Sequence, residues 1–256
     1  MIIHAFPTSI ACQDKICYHA PVRLHAARVT EIQLDVAGLA AWIECPPAAI
    51  PRPGQYVLAH NPEDWSAFLA TPLFPAALSV GGFLAAPPAP RLWTPGTGLT
   101  LRGPLGRGFT LPVSCRRIGL VALGDTASRL APLIPIALGQ EAALALFSDA
   151  PLPAWLPSAV EAYPLSALPE LLAWADFIAI DLPLAALPDL RPRLGLGSSA
   201  EHHPALHCPA QALVLAPMPC GGLGECGVCA VPAHRGWKLA CLDGPVFNLD
   251  EIYHNV

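Results

Sequence analysis

Four thiols lie close together near the C-terminal end of this sequence, in the stretch "MPCGGLGECGVCAVPAHRGWKLACLDGPVF" from Met218 to Phe247. Cys220, Cys226, Cys229 and Cys241 follow the spacing C-x5-C-x2-C-x11-C. Four thiolates within one short segment can surround a metal centre. Three of them share a loop with Gly221, Gly222, Gly224 and Gly227. Small residues let a backbone wrap tightly and aim its N–H groups at sulfur. Such hydrogen bonds offset the negative charge of thiolate sulfur and so help to set a redox potential.

Two metal chemistries use thiols in this way. Structural zinc takes C-x2-4-C knuckles in two pairs, and here only Cys226 and Cys229 form such a knuckle. The glycine loop is nearer the C-x4-C-x2-C loop of plant-type [2Fe–2S] centres with one residue added. Spacing therefore favours iron–sulfur and leaves zinc as the alternative. The remaining cysteines, Cys12, Cys17, Cys45, Cys115 and Cys208, are isolated and read as small core residues or idle thiols. His202, His203 and His207 are near one another but have no acidic partner, and read as loop residues.

The elements that position the thiols must come from an apolar chain. Of 256 residues, 54% are hydrophobic and only 13% charged, which leaves little solvating surface and points to a covering partner. The 31 prolines exceed the usual ~5% and favour short elements with rigid connections. A formal charge of −5 with no basic run argues against nucleic acid. The N-terminus lacks the basic start and apolar run of a signal peptide. The longest apolar stretch, "RIGLVALGDTASRLAPLIPIAL", is broken by Arg116, Arg117, Asp125 and Arg129, so no membrane span is expected. A cytoplasmic location follows as the expectation, and in a reducing compartment clustered cysteines bind metal rather than pair as disulfides.

From Val22 to about Pro112 the pattern is that of strands. "VTEIQLDV" alternates, with Ile32, Leu34 and Val36 expected on the buried face. "WIEC", "RPGQYVLAH", "AALSVGGFLA" and "GTGLTLRGP" add further short strands between turn residues, the pattern of a small barrel. After Pro112, "RIGLVALG", "AALALFS", "AVEAYPL" and "DFIAIDLP" read as buried strands, with helices at "SRLAPLIPIALGQ" and "LPELLAWA" and a last strand at Ala212 to Ala216. Near-continuous apolar strands between helices imply a parallel sheet covered on both faces.

With these residues in view, the sequence resembles the electron-transfer subunit of the NAD-linked dihydroorotate dehydrogenases, within the ferredoxin-reductase-like flavoproteins. The resemblance rests on "RPGQYV", "LRGPLGRGF", "MPCGGLGECGVC" and "ACLDGPVF". It implies a two-domain ferredoxin-reductase-like fold, β-barrel plus α/β, with a C-terminal [2Fe–2S] segment. The expected divisions are a flavin-domain-like barrel at 1–112, a nucleotide-domain-like α/β domain at 113–216 and the cysteine-rich segment at 217–256. Cys220, Cys226, Cys229 and Cys241 are implied as cluster ligands. FAD has a place at Gln55, Tyr56, Ser79, Gly103 and Gly106, which serve equally well as strand and turn residues. The partner implied is an FMN-containing dihydroorotate dehydrogenase catalytic subunit in a hetero-oligomer, serving pyrimidine biosynthesis.

The sequence departs from that family at both dinucleotide sites. The flavin signature Arg-Pro-x-Ser is represented by "FPAALSV", where Ala76 replaces the Arg, Ala77 replaces the Pro, and Ser79 is kept. An alanine offers no cation to a diphosphate. The Gly-rich first turn of the nucleotide domain is "LGDTASRLAPL", which keeps Gly124, adds the negative Asp125, and has Arg129 as its one cation. The "CGP" end of the last nucleotide-domain strand is missing. The expectation is an electron-transfer subunit with an intact cluster motif and degenerate dinucleotide sites. The alternatives are a non-redox, zinc-stabilised interaction subunit and a complete NADH-dependent FAD reductase.

Overall fold

The computed structural model describes residues 23–151, 156–172, 174–194 and 208–252. Cys12, Cys17, His202, His203 and His207 lie outside the described residues.

Seven antiparallel strands form the first unit: β1 (Leu24–Asp35), β2 (Gly38–Glu44), β3 (Tyr56–His60), β4 (Thr71–Leu73), β5 (Pro75–Ser79), β6 (Gly82–Ala85) and β7 (Gly98–Leu105). Their order is β4-β3-β7-β1-β2-β6-β5, a barrel-like sheet that wraps around Val29, Ile43, Val57, Phe83 and Leu101. Alternation of side chains along each strand sends these residues inward. The expected burial of Leu34 and Val36 is not met: Leu34 is 86% exposed. The β1–β2 hairpin stays paired as far as Asp35 opposite Gly38, at its tip, where no second layer covers it. The tip instead meets the next unit through the Ser128 hydroxyl, which donates to the Asp35 carboxylate at 3.2 Å.

The second unit contains β8 (Arg117–Ala122), α1 (Leu133–Gly139), β9 (Ala143–Ser148), β10 (Val160–Tyr163), α2 (Leu168–Leu171), β11 (Phe177–Pro183), α3 (Leu190–Arg193) and β12 (Ala210–Leu215). The strands are parallel in the order β10-β9-β8-β11-β12. The helix expected over "SRLAPLIPIALGQ" contracts to α1 because Pro132 and Pro135 lack N–H groups. Both fall at its start, where the missing donor costs nothing. Ile118, Leu120, Leu133, Ile134 and Phe177 pack on the α1 side of the sheet.

The C-terminal segment does not hang from this body as a separate piece. It forms a hairpin, β13 (Ala230–Ala233) and β14 (Gly236–Leu239), then β15 (Val246–Asn248) and α4 (Leu249–Ile252). β15 pairs antiparallel with β12, Phe247 opposite Ala212, and becomes the sixth strand of the sheet. One continuous core joins Tyr56 and Leu58 of the barrel, Ile180 and Leu213 of the sheet, and Cys229, Cys241 and Phe247 of the C-terminal segment. Among the described residues, no helix is long and apolar enough to cross a membrane.

Candidate metal centre and its surroundings

The hairpin β13–β14 accounts for one pair of thiols. Its register sets Ala230 opposite Leu239, and the Ala240 N–H donates to the Cys229 carbonyl at 3.0 Å. Cys229 and Cys241, just outside the two strand ends, thereby meet with their sulfurs 3.2 Å apart, both buried. The spacing C-x11-C carries this information, but only a reading of "AVPAHRGWKL" as two short strands about a turn reveals it.

The second pair, Cys220 and Cys226, is drawn together by the glycine loop. Gly221, Gly222 and Gly224 have φ of 64°, 73° and 75°, a left-handed region that glycine enters without strain. The successive turns point backbone N–H groups inward. Burial opposes a charge on Cys220, yet hydrogen bonds from the Cys226 thiol and from the N–H groups of Cys226, Glu225 and Leu223 outweigh it and bring its pKa down to about 6. Burial, the Cys229 thiol and the nearby Cys220 push Cys241 up to about 12, with the Gly224 N–H acting against them. Cys226 is exposed, whereas Cys229 and Cys241 are not.

Among the described residues, no three His, Cys, Asp or Glu side chains gather around a single point where one ion could be held. The four thiols stand instead as two pairs. That donor set fits a two-iron cluster, where each iron takes two thiolates, better than a single tetrahedral zinc. Cys45 differs in kind: burial alone raises its thiol to about 11, so it stays protonated. Burial likewise raises Cys115 and Cys208, aided by the Asp176 carboxylate near each.

The barrel motifs carried by the resemblance turn toward this segment. The Tyr56 ring is fully buried, and its hydroxyl donates to the Cys241 carbonyl at 3.3 Å. Burial raises the Tyr56 pKa, and Cys241, Cys229 and Cys220 raise it further, while Arg102 works against them. The Gln55 amide donates to the Gly106 carbonyl at 3.0 Å and accepts from the Arg52 N–H at 3.1 Å. Gly106, with φ of 74°, has Pro245 where a Cβ would stand, 2.5 Å away. The Arg107 N–H donates to the Gly244 carbonyl at 2.5 Å. Gly103 lies under Val57 and the Tyr56 carbonyl, and the Ser79 hydroxyl donates to Gly82 across its hairpin turn at 3.1 Å. Within the described residues, Tyr56 and Gly106 clasp the barrel to the cysteine segment, Gln55 braces the Gly106 turn from inside the barrel, and Gly103 and Ser79 shape strand and turn.

β5, which the resemblance assigns to flavin, forms one wall of a cavity of about 450 Å³. Ala76, Ala77, Leu78 and Trp42 face Ile134 and Pro135 of α1 across it, and no charged side chain lines it. An uncharged ring fits such walls; a diphosphate finds no cation there.

In a parallel sheet, the crevice at the carboxyl ends of the strands where the order reverses is the usual place for a dinucleotide. Here that place lies between β8 and β11. The buried Arg129 donates through Nε to the fully buried Asp181 carboxylate at 2.9 Å, and its Nη2 lies 3.5 Å from the Cβ position of Gly124. Burial raises the Asp181 pKa and Arg129 opposes it. The cation that sequence reading left available to a phosphate is therefore already paired.

Comparison with known proteins agrees with this picture. Residues 216–253 match the family described as the iron-sulfur cluster binding domain of dihydroorotate dehydrogenase B. No curated protein matches significantly. Among solved structures, an NADH-dependent reduced ferredoxin-NADP oxidoreductase is similar over 89% of this chain and 90% of its own, at 18% identity and a TM-score of 0.69. The flavohem-like FAD/NAD binding domain of nitric oxide dioxygenase from Vibrio cholerae O1 biovar El Tor is similar over 75% of this chain and 99% of its own, at 14% identity and a TM-score of 0.54. The ferredoxin reductase of carbazole 1,9a-dioxygenase is similar over 69% of this chain and 66% of its own, at 17% identity and a TM-score of 0.55. At such identities the likeness is one of fold. A body of ferredoxin-reductase-like fold here ends in a segment, residues 216–253, that matches the iron-sulfur cluster binding domain of dihydroorotate dehydrogenase B.

Proposed function

We propose that the chain is an electron-transfer subunit that relays single electrons through a [2Fe–2S] cluster held by Cys220, Cys226, Cys229 and Cys241, and that its partner is the flavin-bearing subunit of a dihydroorotate-dehydrogenase-like complex. The arrangement of the thiols in two pairs carries this reading. When bound, the cluster supplies a one-electron acceptor and donor. The chain's own contribution is to hold the thiolates, supply N–H donors to Cys220 and Cys241, and exclude water from the inner pair. The outer pair stands at the surface beside Leu223, Val228 and Leu242, which are 54%, 49% and 58% exposed. Exposed leucine and valine beside an exposed ligand favour a docking partner of apolar surface, which would dry the path for the electron. We further propose that the dinucleotide sites are degenerate: the phosphate place in the α/β unit is taken by Arg129 and Asp181, and Ala76 leaves the barrel without its cation.

Anaerobic purification with iron, acid-labile sulfide and zinc analysis tests the cluster. Four thiolates around a [2Fe–2S] centre set the expected result: two irons and two sulfides per chain, with visible absorption that bleaches on reduction. Cys226→Ser should remove or badly destabilise the cluster, whereas Cys45→Ser should leave the iron content unchanged. Stoichiometric zinc without sulfide, or equal loss from both variants, would sink the assignment.

A further inference from the structure

Arg102 is the first of two arginines in the "LRGPLGRGF" stretch. On β7 it alternates with Leu101, which is fully buried in the barrel core, so its side chain leaves the barrel on the opposite face. There it stands across from Leu58 of β3. The same face supports the glycine loop: a Cβ on Gly222 would lie 2.9 Å from the Tyr56 hydroxyl, 3.4 Å from the Arg102 Nη2 and 3.6 Å from the Leu58 side chain. From the Cβ position of Gly221 the Arg102 Nη2 is 3.6 Å away. The guanidinium therefore rests on the two residues that follow Cys220.

Among the described residues, no carboxylate lies within salt-bridge distance of Arg102. The ion pairs among the described residues engage Arg28, Arg107, Arg117, Arg129 and Lys238 instead. Two of those cations, Arg107 and Lys238, are on or near the cysteine segment, and both are taken by Glu251. A half-buried guanidinium without a counter-charge is costly unless an anion is near. The guanidinium reaches, at Gly221 and Gly222, the loop that carries Cys220 and Cys226, and the Tyr56 hydroxyl at the same place bonds the Cys241 carbonyl.

We propose that Arg102 is a positioning residue of the thiolate centre, a fixed positive charge that holds the glycine loop and makes the bound cluster easier to reduce. The inference rests on the cluster reading above and adds to it a residue outside the ligand set. Its physical basis is that reduction adds one negative charge to the centre, and a nearby fixed cation favours the more negative state. Glycine at 221 and 222 is what allows the approach, because any side chain at 222 would meet the guanidinium and the Tyr56 hydroxyl.

The test is a potentiometric titration of the purified full chain with dithionite and mediators, followed by electron paramagnetic resonance, on the parent and on Arg102→Gln and Arg102→Lys. Iron and sulfide are first counted in the parent; a parent without them defeats the cluster reading and is told apart in that way from a failure of the Arg102 inference. Arg102→Gln is expected to disfavour reduction by roughly tenfold, which is about 59 mV more negative for a one-electron couple. Arg102→Lys, which keeps the charge, is expected to retain most of the parent potential. If Gln prevents cluster assembly, assembly restored by Lys supports the charge role and failure of both variants overturns it. A Gln variant with full iron and the parent potential overturns it too, as does a Lys variant shifted as far as Gln.

Discussion

At the scale of single residues, the glycines of the cysteine loop are not interchangeable. Gly224 has φ of 75°, and a Cβ there would overlap the Leu242 side chain, beside Cys241. Gly227 has φ of 68° but nothing within 4 Å of its Cβ position. Gly227→Ala should therefore cost only the left-handed strain, about 1–2 kcal/mol, and keep its iron. Gly224→Ala must also displace Leu242 and lose register next to Cys241, so its iron content should fall well below that of Gly227→Ala. Iron analysis of the two variants side by side decides the matter, and equal retention would show that the loop yields more easily than its geometry implies.

At the scale of elements, β15 makes the cysteine segment part of the sheet. Phe247 is 1% exposed and belongs to the core shared by barrel, sheet and cysteine segment. Phe247→Ala should cost about 3–5 kcal/mol of global stability and lower cluster retention in the same variant. Chemical denaturation would show one destabilised transition; an unchanged midpoint for the body with loss confined to the cluster would mean that the segment folds on its own. A second element-level tie has a pH signature. Asp176, just before β11, accepts from the Arg117 guanidinium at 2.7 Å and from the N–H groups of Arg116 and Arg117 at 3.1 Å each, at the start of β8. The Arg117 side chain, first, and the Arg116 N–H hold its carboxyl below the usual range. A carboxylate whose folded pKa is depressed stabilises the fold fully above its unfolded pKa of about 3.9 and loses that contribution as pH falls through the folded value. Asp176→Asn should thus be less stable than the parent at pH 7 and converge with it as the solution is acidified below about pH 4. Thermal unfolding across that range checks it, and a constant gap between the two proteins would show that ionisation plays no part.

At the scale of the whole molecule, the fold is ferredoxin-reductase-like, and the proposal of degenerate dinucleotide sites concerns two places in it. The cavity beside β5 is apolar and the crevice between β8 and β11 holds a buried ion pair. NADH should bind more weakly than ~1 mM, which corresponds to about 4 kcal/mol at standard state. FAD should be present at less than one per chain after purification. Ala76 lines the cavity, so Ala76→Arg should bring a charge-assisted contact of about 1.5–3 kcal/mol and raise FAD affinity roughly ten- to a hundredfold. Calorimetry and flavin absorbance are the measurements. A parent protein that carries a full complement of FAD, or micromolar NADH affinity, would overturn the degenerate-site proposal.

The sequence by itself determined the order barrel, α/β sheet, cysteine segment, because alternation, continuous apolar strands and turn residues are local signals that burial then rewards. It also singled out four thiols as candidate ligands, since three share one glycine loop and the fourth follows closely. Only the tertiary structure decided what surrounds them. That Cys229 and Cys241 meet depends on a hairpin of four-residue strands too short to stand out in the sequence. That Tyr56 and Gly106 clasp the cysteine segment, that Arg129 is spent on Asp181, and that Arg102 rests on Gly221 and Gly222 all depend on contacts between residues far apart in the chain. Such contacts are set by how the two sheets and the last strand pack into one core, and side-chain type alone does not encode a partner: the same arginine reads as a free cation, a buried ion pair or a neighbour of thiolates until the packing places it.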